Sequence, residues 1–292
     1  MALLAVALAG CSRPSRQEAP AAGAPPQRIV SLAPSVSSLV AQRPGLATSR
    51  ATKPFLGVGD PLLRGRRAAA EVEISSLFAR DGGVDAAALS DLAPLPETAA
   101  ELTALAGSLG AGSADLLLGD KATETELAAR SLADYRVLAF ATHGILAGEV
   151  GGTAEPGLVL SPESGVAGRD GYLSLSEIMS LRLDADLVIL SACNTGGADG
   201  RPRAEWMSGL ARGFIAAGAR QLLVTLWSIP SEPTVRLTTG MTAAYTAEPG
   251  LGWPRALQRS IVAMLDSPAS PVEAHPASWA SFTVLGVDAL RR

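Results

Sequence analysis

Two stretches of this chain, Arg136-Val137-Leu138-Ala139-Phe140-Ala141 and Asp186-Leu187-Val188-Ile189-Leu190, are almost uninterruptedly apolar. A strand with one solvated face alternates apolar and polar residues, so runs without alternation belong to strands buried on both faces. Such strands pair in parallel, because the crossovers between them lay helices over both sides of the sheet. The rest of the chain from Pro54 onward fits that frame. Short strands are predicted at Phe55–Val58, Asp115–Gly119, Leu158–Leu160, Gln221–Trp227 and Trp279–Leu285. Helices are predicted between them: Arg66–Ala79, a segment between Pro96 and Gly110, Thr123 to about Ala133, Ser174 to Leu181, Glu205–Ala217, Pro233–Tyr245 and Pro254–Leu265. Thr98 with Glu101, Thr123 with Glu126 and Ser174 with Glu177 each have the spacing of a capping box. Trp206, Leu210 and Phe214 recur every four residues on one helical face, closed by Gly218. The fold class is therefore α/β, a mostly parallel sheet flanked by helices.

Composition narrows the function. Hydrophobic residues make up 48% and charged residues 18% of the 292, enough apolar surface for a substantial core. The net charge of -4, with no Lys/Arg-rich run, argues against nucleic acid as a partner. Two cysteines, Cys11 and Cys193, and two histidines, His143 and His275, exclude a disulfide scaffold and an all-Cys/His zinc site. The Gly196, Gly197 and Gly200 loop matches neither phosphate-cradling glycine pattern. No metal or cofactor is expected.

At the amino terminus, residues 2–9 form an apolar run too short to span a bilayer as a helix, which takes about 20 residues. It ends in Leu8-Ala9-Gly10-Cys11, which resembles a bacterial lipobox, and Ser12–Gln27 is a Pro/Ala-rich tether. No Lys or Arg precedes the run, unlike most signals. Residues 1–27 are read as a lipoprotein signal and tether, with a lipid anchor through Cys11. The protein is then membrane-anchored; without lipidation it is cytoplasmic.

The two apolar strands deliver Thr142-His143-Gly144 and Ser191-Ala192-Cys193-Asn194-Thr195-Gly196 at their carboxyl ends. In an open parallel sheet that edge is the default place for a reaction. A thiol with a pKa of about 8.5 is mostly protonated at neutral pH, and a nearby imidazole can take its proton. His143 and Cys193 stand 50 positions apart, the histidine first, as in caspases.

Phe140-Ala141-Thr142-His143-Gly144, Gly157-Leu158-Val159-Leu160-Ser161, Gly171-Tyr172-Leu173, Ser176-Glu177-Ile178 and Asp186 through Gly196 together resemble the CHAT domain. The likeness continues through Gly209-Leu210-Ala211, Ala217-Gly218-Ala219, Leu226-Trp227 and Trp279, and backward through Leu95-Pro96 and Leu118-Gly119. CHAT domains are caspase-like modules often found beside tetratricopeptide repeats. The resemblance spans residues 28–292 and implies a caspase/hemoglobinase-like fold and a cysteine endopeptidase that cleaves a protein or peptide partner. It implies that Cys193 is the nucleophile, that His143 is general base and acid, and that the Gly144 and Cys193 amides are oxyanion donors. No tetratricopeptide repeat is present, so the regulator that such repeats usually provide is expected to act in trans or to be absent. The sheet edge before the first clear strand is expected to be abbreviated, and no acidic residue beside His143 announces itself as orienting the ring. The alternatives are a catalytically silent CHAT-fold interaction module, tethered to a membrane, and a lipoprotein that binds a small ligand.

Other polar residues have plainer readings. His275 is expected on the surface, Asp170-Gly171 in a turn, and Asn194 and Thr195 in local loop bonds. Glu71 and Glu73 belong to a solvated helix face, and Trp227 to the core or a pocket wall.

Overall fold

The computed structural model describes residues 49–66, 77, 84–145, 155–163, 166, 168–191, 204–227, 229–248 and 250–286, the side chains of 204–209 excepted. All lie in one compact unit, Ser31–Arg292. The expected signal and tether with Cys11, the 192–203 segment with Cys193, Asn194 and Thr195, the side chain of Trp206, and most of the Arg66–Ala79 helix with Glu71 and Glu73 fall outside the described residues.

In chain order the elements are β1 (Lys53–Pro61), α1 (Ala86–Ser90), α2 (Glu97–Leu109), β2 (Leu116–Gly119), α3 (Glu124–Ala128), β3 (Tyr135–Ala141), β4 (Gly144–Ile145), β5 (Gly157–Val159) and β6 (Tyr172–Ser174). They continue with α4 (Leu175–Ser180), β7 (Leu187–Leu190), α5 (Ala204–Ala217), β8 (Gln221–Thr225), α6 (Ser231–Ala247), α7 (Trp253–Asp266), α8 (Pro271–Ala274) and β9 (Phe282–Gly286). Six strands form the main sheet in the order β2-β1-β3-β7-β8-β9, parallel except for β9. The expected fold class is the observed one. The chain steps from β1 outward to β2, then returns past β1 to lay down β3, so strand order reverses between β1 and β3. A crevice opens at such a reversal, outside the carboxyl ends of the strands.

Successive side chains on each strand feed opposite faces. Leu138 and Phe140 of β3, with Val188 and Leu190 of β7, enter a core shared with Leu127 of α3, Ile178 of α4 and Leu210 and Phe214 of α5. Val137, Ala139 and Ala141, with Leu187 and Ile189, enter the other, shared with Leu102 and Leu105 of α2, Leu237 and Met241 of α6 and Trp253 of α7. Burial on both faces is what removed the polar alternation from these two strands. Gly218 ends α5 at φ 124°, and a Cβ there would lie 2.0 Å from the Leu183 carbonyl oxygen, so both dihedral and space demand glycine.

Several details depart from the sequence reading. The Leu158–Leu160 strand forms as β5, but in a separate antiparallel sheet, β4-β5-β6, packed through Ile145, Val159 and Tyr172 against Leu89 and Leu92. The helix opened by Thr123 closes at Ala128 and is followed by a 3-10 turn, Leu132–Asp134. Thr123 caps it by accepting from the Glu126 amide, and the Ser174–Glu177 box is complete in both directions. Thr98 is not a cap. Pro96 precedes the first turn of α2, which frees Thr98 to accept from the Asp60 amide while donating to the Leu95 carbonyl. Glu101 turns inward instead of back toward a cap. Trp227 lies beyond β8 with 41% of its surface exposed, its Nε1–H donating to the Ala277 carbonyl, so it is not a core residue. Among the described residues no helix is long and apolar enough to cross a membrane.

Candidate active site

His143 follows β3 by two residues, at the crevice where strand order reverses. It is 1% exposed. Its Nε2 lies 2.8 Å from the carbonyl oxygen of Ala93, and since a carbonyl only accepts, Nε2 carries the hydrogen. In the neutral ring, Nδ1 is then the acceptor. Nδ1 is buried and has no hydrogen-bond partner among the described residues. Burial holds the imidazole pKa below its usual value, opposed by the Ala93 carbonyl and by the nearby negative charge of Glu97. The ring is therefore neutral at pH 7, with a basic lone pair aimed at nothing described.

The group that orients the ring is a main-chain oxygen, which the sequence reading did not find because a carbonyl has no residue signature. The Ala93 segment is held from behind. Arg64 and Gly65 donate their amides to the Ser90 and Leu92 carbonyls. A Cβ on Gly65 would lie 1.3 Å from the Asp91 carbonyl oxygen, so this approach also requires glycine. Leu92 is fully buried beneath it. The main chain that carries the ring is held as well: Thr142 donates its hydroxyl to the Val159 carbonyl, and the Val159 amide donates to the His143 carbonyl at 2.8 Å. Across a planar trans peptide the carbonyl of one residue and the amide of the next point oppositely. The His143 carbonyl faces β5, so the Gly144 N–H points away from it, and Gly144 is buried.

The neighbouring strand β7 ends at Leu190, and Ser191 follows as a fixed point. The Ser191 amide donates to the Phe140 carbonyl, and its hydroxyl donates to Glu101 Oε1 at 2.8 Å. Cys193 stands two residues further along the sequence. Glu101, 4% exposed on α2, has its carboxyl pushed up to about 7, chiefly by burial and less by the charge of Glu97, against the Ser191 and Thr238 hydroxyls.

The remaining motif residues build the scaffold. Ser161 accepts from the Leu62 amide and donates to the Gly119 carbonyl, joining the β1 and β2 ends. Glu124 is buried and accepts the Gly171 amide at 2.8 Å; burial raises its carboxyl to about 7. Asp170 accepts from the Tyr172 amide, the expected turn bond. His275 is exposed, with Nδ1 accepting from Ala277, a local cap. Among the described residues there is no group of three or more His, Cys, Asp or Glu able to hold a metal ion.

The model of the CHAT domain family matches residues 26–287. Tetratricopeptide repeat protein 28 of Mus musculus is 32% identical over 120 residues, 41% of this chain and 5% of that protein. Tetratricopeptide repeat protein 28 of Homo sapiens is 28% identical over 116 residues, 40% of this chain and 4% of that protein. The matched parts are thus about a twentieth of these curated relatives. Among solved structures, the Arg-specific cysteine proteinase gingipain R aligns over 88% of this chain and 51% of its own, at 12% identity and a TM-score of 0.42.

Proposed function

The chain belongs to the CHAT domain family, and from that premise we propose that it is a cysteine endopeptidase working through His143 and Cys193. The observation that carries this reading is the state of His143. Its ring is buried and kept neutral, one nitrogen is committed to a carbonyl, and the other is, among the described residues, an unpartnered acceptor at the crevice. A structural histidine in a core is expected to satisfy both nitrogens, since an unpaired buried polar atom costs about 1–3 kcal/mol. Cys193 follows Ser191, the last described residue after β7, by two positions in the sequence.

In the proposed reaction Nδ1 takes the thiol proton and the thiolate attacks the scissile carbonyl carbon. The carbonyl oxygen becomes an oxyanion, for which the Gly144 and Cys193 amides are the donors; each such donor typically contributes about 3–4 kcal/mol to the transition state. The imidazolium then gives its proton to the leaving amine, and the C–N bond breaks to leave a thioester. Water, deprotonated by the same Nδ1, attacks the thioester and restores the thiol. The Ala93 carbonyl holds the ring through both proton transfers and gains strength as an acceptor when the ring is charged. Tetratricopeptide repeats are the partner proposed for control.

The test is exposure of the protein to a peptide library, with termini read by mass spectrometry. Discrete new termini that vanish after alkylation of Cys193 are expected. An unchanged library, in the presence of a folded protein whose thiol takes up no peptidyl electrophile, favours instead the silent interaction module.

A further inference from the structure

We propose that the strap by which the chain leaves β1, residues 60–65, decides which nitrogen of His143 is free to serve as the base, with Gly65 as its positioning residue. The inference rests on the peptidase reading above, and it adds a residue that acts on the ring only through the Ala93 segment.

The carbonyl that fixes the ring lies in a stretch poorly able to fix itself. Ala93-Pro94-Leu95-Pro96 belongs to no helix or strand, and its two prolines have no amide hydrogen to donate. Its anchorage comes from the chain beside it. Asp60, at φ 48°, turns the main chain out of β1, and its amide donates to the Thr98 hydroxyl at 2.9 Å. That hydroxyl in turn donates to the Leu95 carbonyl at 2.7 Å. At the far end of the strap, the Arg64 and Gly65 amides donate to the Ser90 and Leu92 carbonyls at 2.7 and 3.0 Å. Leu63 is buried in one apolar cluster with Leu89 and Leu92. The strap thus grips the chain on both sides of Ala93, at Leu92 and at Leu95. Between those two points the Ala93 carbonyl meets His143 Nε2 at 2.8 Å.

Gly65 sets the spacing of the two chains. A Cβ there would lie 1.3 Å from the Asp91 carbonyl oxygen and 1.9 Å from its carbon, where real Cβ atoms essentially never come within 3.0 Å. Both neighbours are main-chain atoms, which cannot swing aside as the end of a side chain can. Any other residue therefore parts the two chains and takes the Gly65 amide from the Leu92 carbonyl, the anchor next to Ala93. The His143 ring, 1% exposed, depends on the protein for its Nε2 partner. Which ring nitrogen carries the hydrogen is set by the bond the other parts of the site offer it. Without a fixed acceptor at Nε2, the neutral ring divides its hydrogen between the two nitrogens. A ring with the hydrogen on Nδ1 has no lone pair there for a thiol proton.

The test is nitrogen-15 NMR of the full chain labelled in its histidine rings, at neutral pH, with His143→Gln assigning the signals. The wild-type His143 ring is expected to show the Nε2–H tautomer alone. Gly65→Ala is expected to show mixed tautomers, and a kcat on a cleavable peptide at least about 10-fold lower with KM nearly unchanged, because the ring loses both its tautomer and its aim. Gly218→Ala is the matched control: its Cβ would lie 2.0 Å from the Leu183 carbonyl oxygen, at the opposite edge of the sheet. It is expected to lose stability while keeping the wild-type tautomer and kcat. If Gly65→Ala does not fold, Thr98→Val takes its place, since it frees the Leu95 carbonyl and the Asp60 amide, with the same mixing of tautomers expected. A wild-type ring with its hydrogen on Nδ1 overturns the inference. So does a strap variant that keeps the wild-type tautomer, one that mixes tautomers with undiminished kcat, or equal mixing in Gly218→Ala. A wild type that cuts no peptide, while its ring responds to the strap variant as expected, overturns the peptidase reading and leaves the control of the tautomer standing.

Discussion

Cys193→Ala is expected to eliminate peptide cleavage, lowering kcat by at least about 10⁴-fold, while the domain unfolds at nearly the wild-type temperature. Removal of a covalent nucleophile leaves only the catalysis supplied by binding and the oxyanion donors. The small stability effect follows from how β7 and Ser191 are held independently of the substituted residue. The apolar contacts of β7 are made by Leu187 through Leu190, and Ser191 is anchored by its own amide and hydroxyl before Cys193 is reached. Loss of a single sulfur atom is expected to change stability by less than about 1 kcal/mol. Rates on a cleavable peptide, with thermal unfolding of the same preparation, check both halves. Cleavage at an undiminished rate means that another group performs the chemistry.

A second large effect is expected at Glu101. Its carboxyl titrates near 7 in the folded protein, against 4.5 when unperturbed, because it is buried. The folded state therefore holds the proton more tightly than the unfolded chain. The contribution of Glu101 to stability is full below pH 4.5 and is lost as pH rises toward 7, by about 1.4 kcal/mol for each pKa unit. Glu101→Gln cannot ionise, yet it offers Ser191 an acceptor of similar shape. Its stability relative to wild type should rise by about 3 kcal/mol between pH 4.5 and pH 8, measured by urea unfolding at each pH. His143 works in the opposite sense: burial holds its pKa below the usual imidazole value, so its contribution is full above that value and fades as pH falls. Comparing the variant with wild type cancels that contribution, because His143 is present in both. A stability difference that does not move with pH places the Glu101 carboxylate in water.

The sheet was readable because its central strands are buried on both faces, and that condition is written directly into β3 and β7 as unbroken apolar sequence. The strand ends were readable for the same reason, since a change from Phe140-Ala141 to Thr142-His143 marks where the core gives way to the crevice. Tertiary context accounts for what was missed. Thr98 and Glu101 have the spacing of a cap, but Asp60 and Ser191 compete for them more effectively than the helix amides do. The β4-β5-β6 sheet rests on two- and three-residue strands whose pairing comes from long-range contacts. Ala93 was invisible because its contribution is a main-chain oxygen, delivered by a Gly65 that tolerates no Cβ. That glycine, in Leu63-Arg64-Gly65, was the available signal, and a lone glycine has too many ordinary uses to point there.

The most direct measurement is the rate of Cys193 alkylation by iodoacetamide as a function of pH, in the wild-type protein and in His143→Gln. The Gln side chain still donates to the Ala93 carbonyl but has no nitrogen able to take a proton. If the imidazole serves the sulfur, wild-type reactivity reaches its half-maximum well below pH 8, and His143→Gln shifts that midpoint toward the free-thiol value of about 8.5. Superimposable profiles for the two proteins would contradict the pairing of His143 with Cys193.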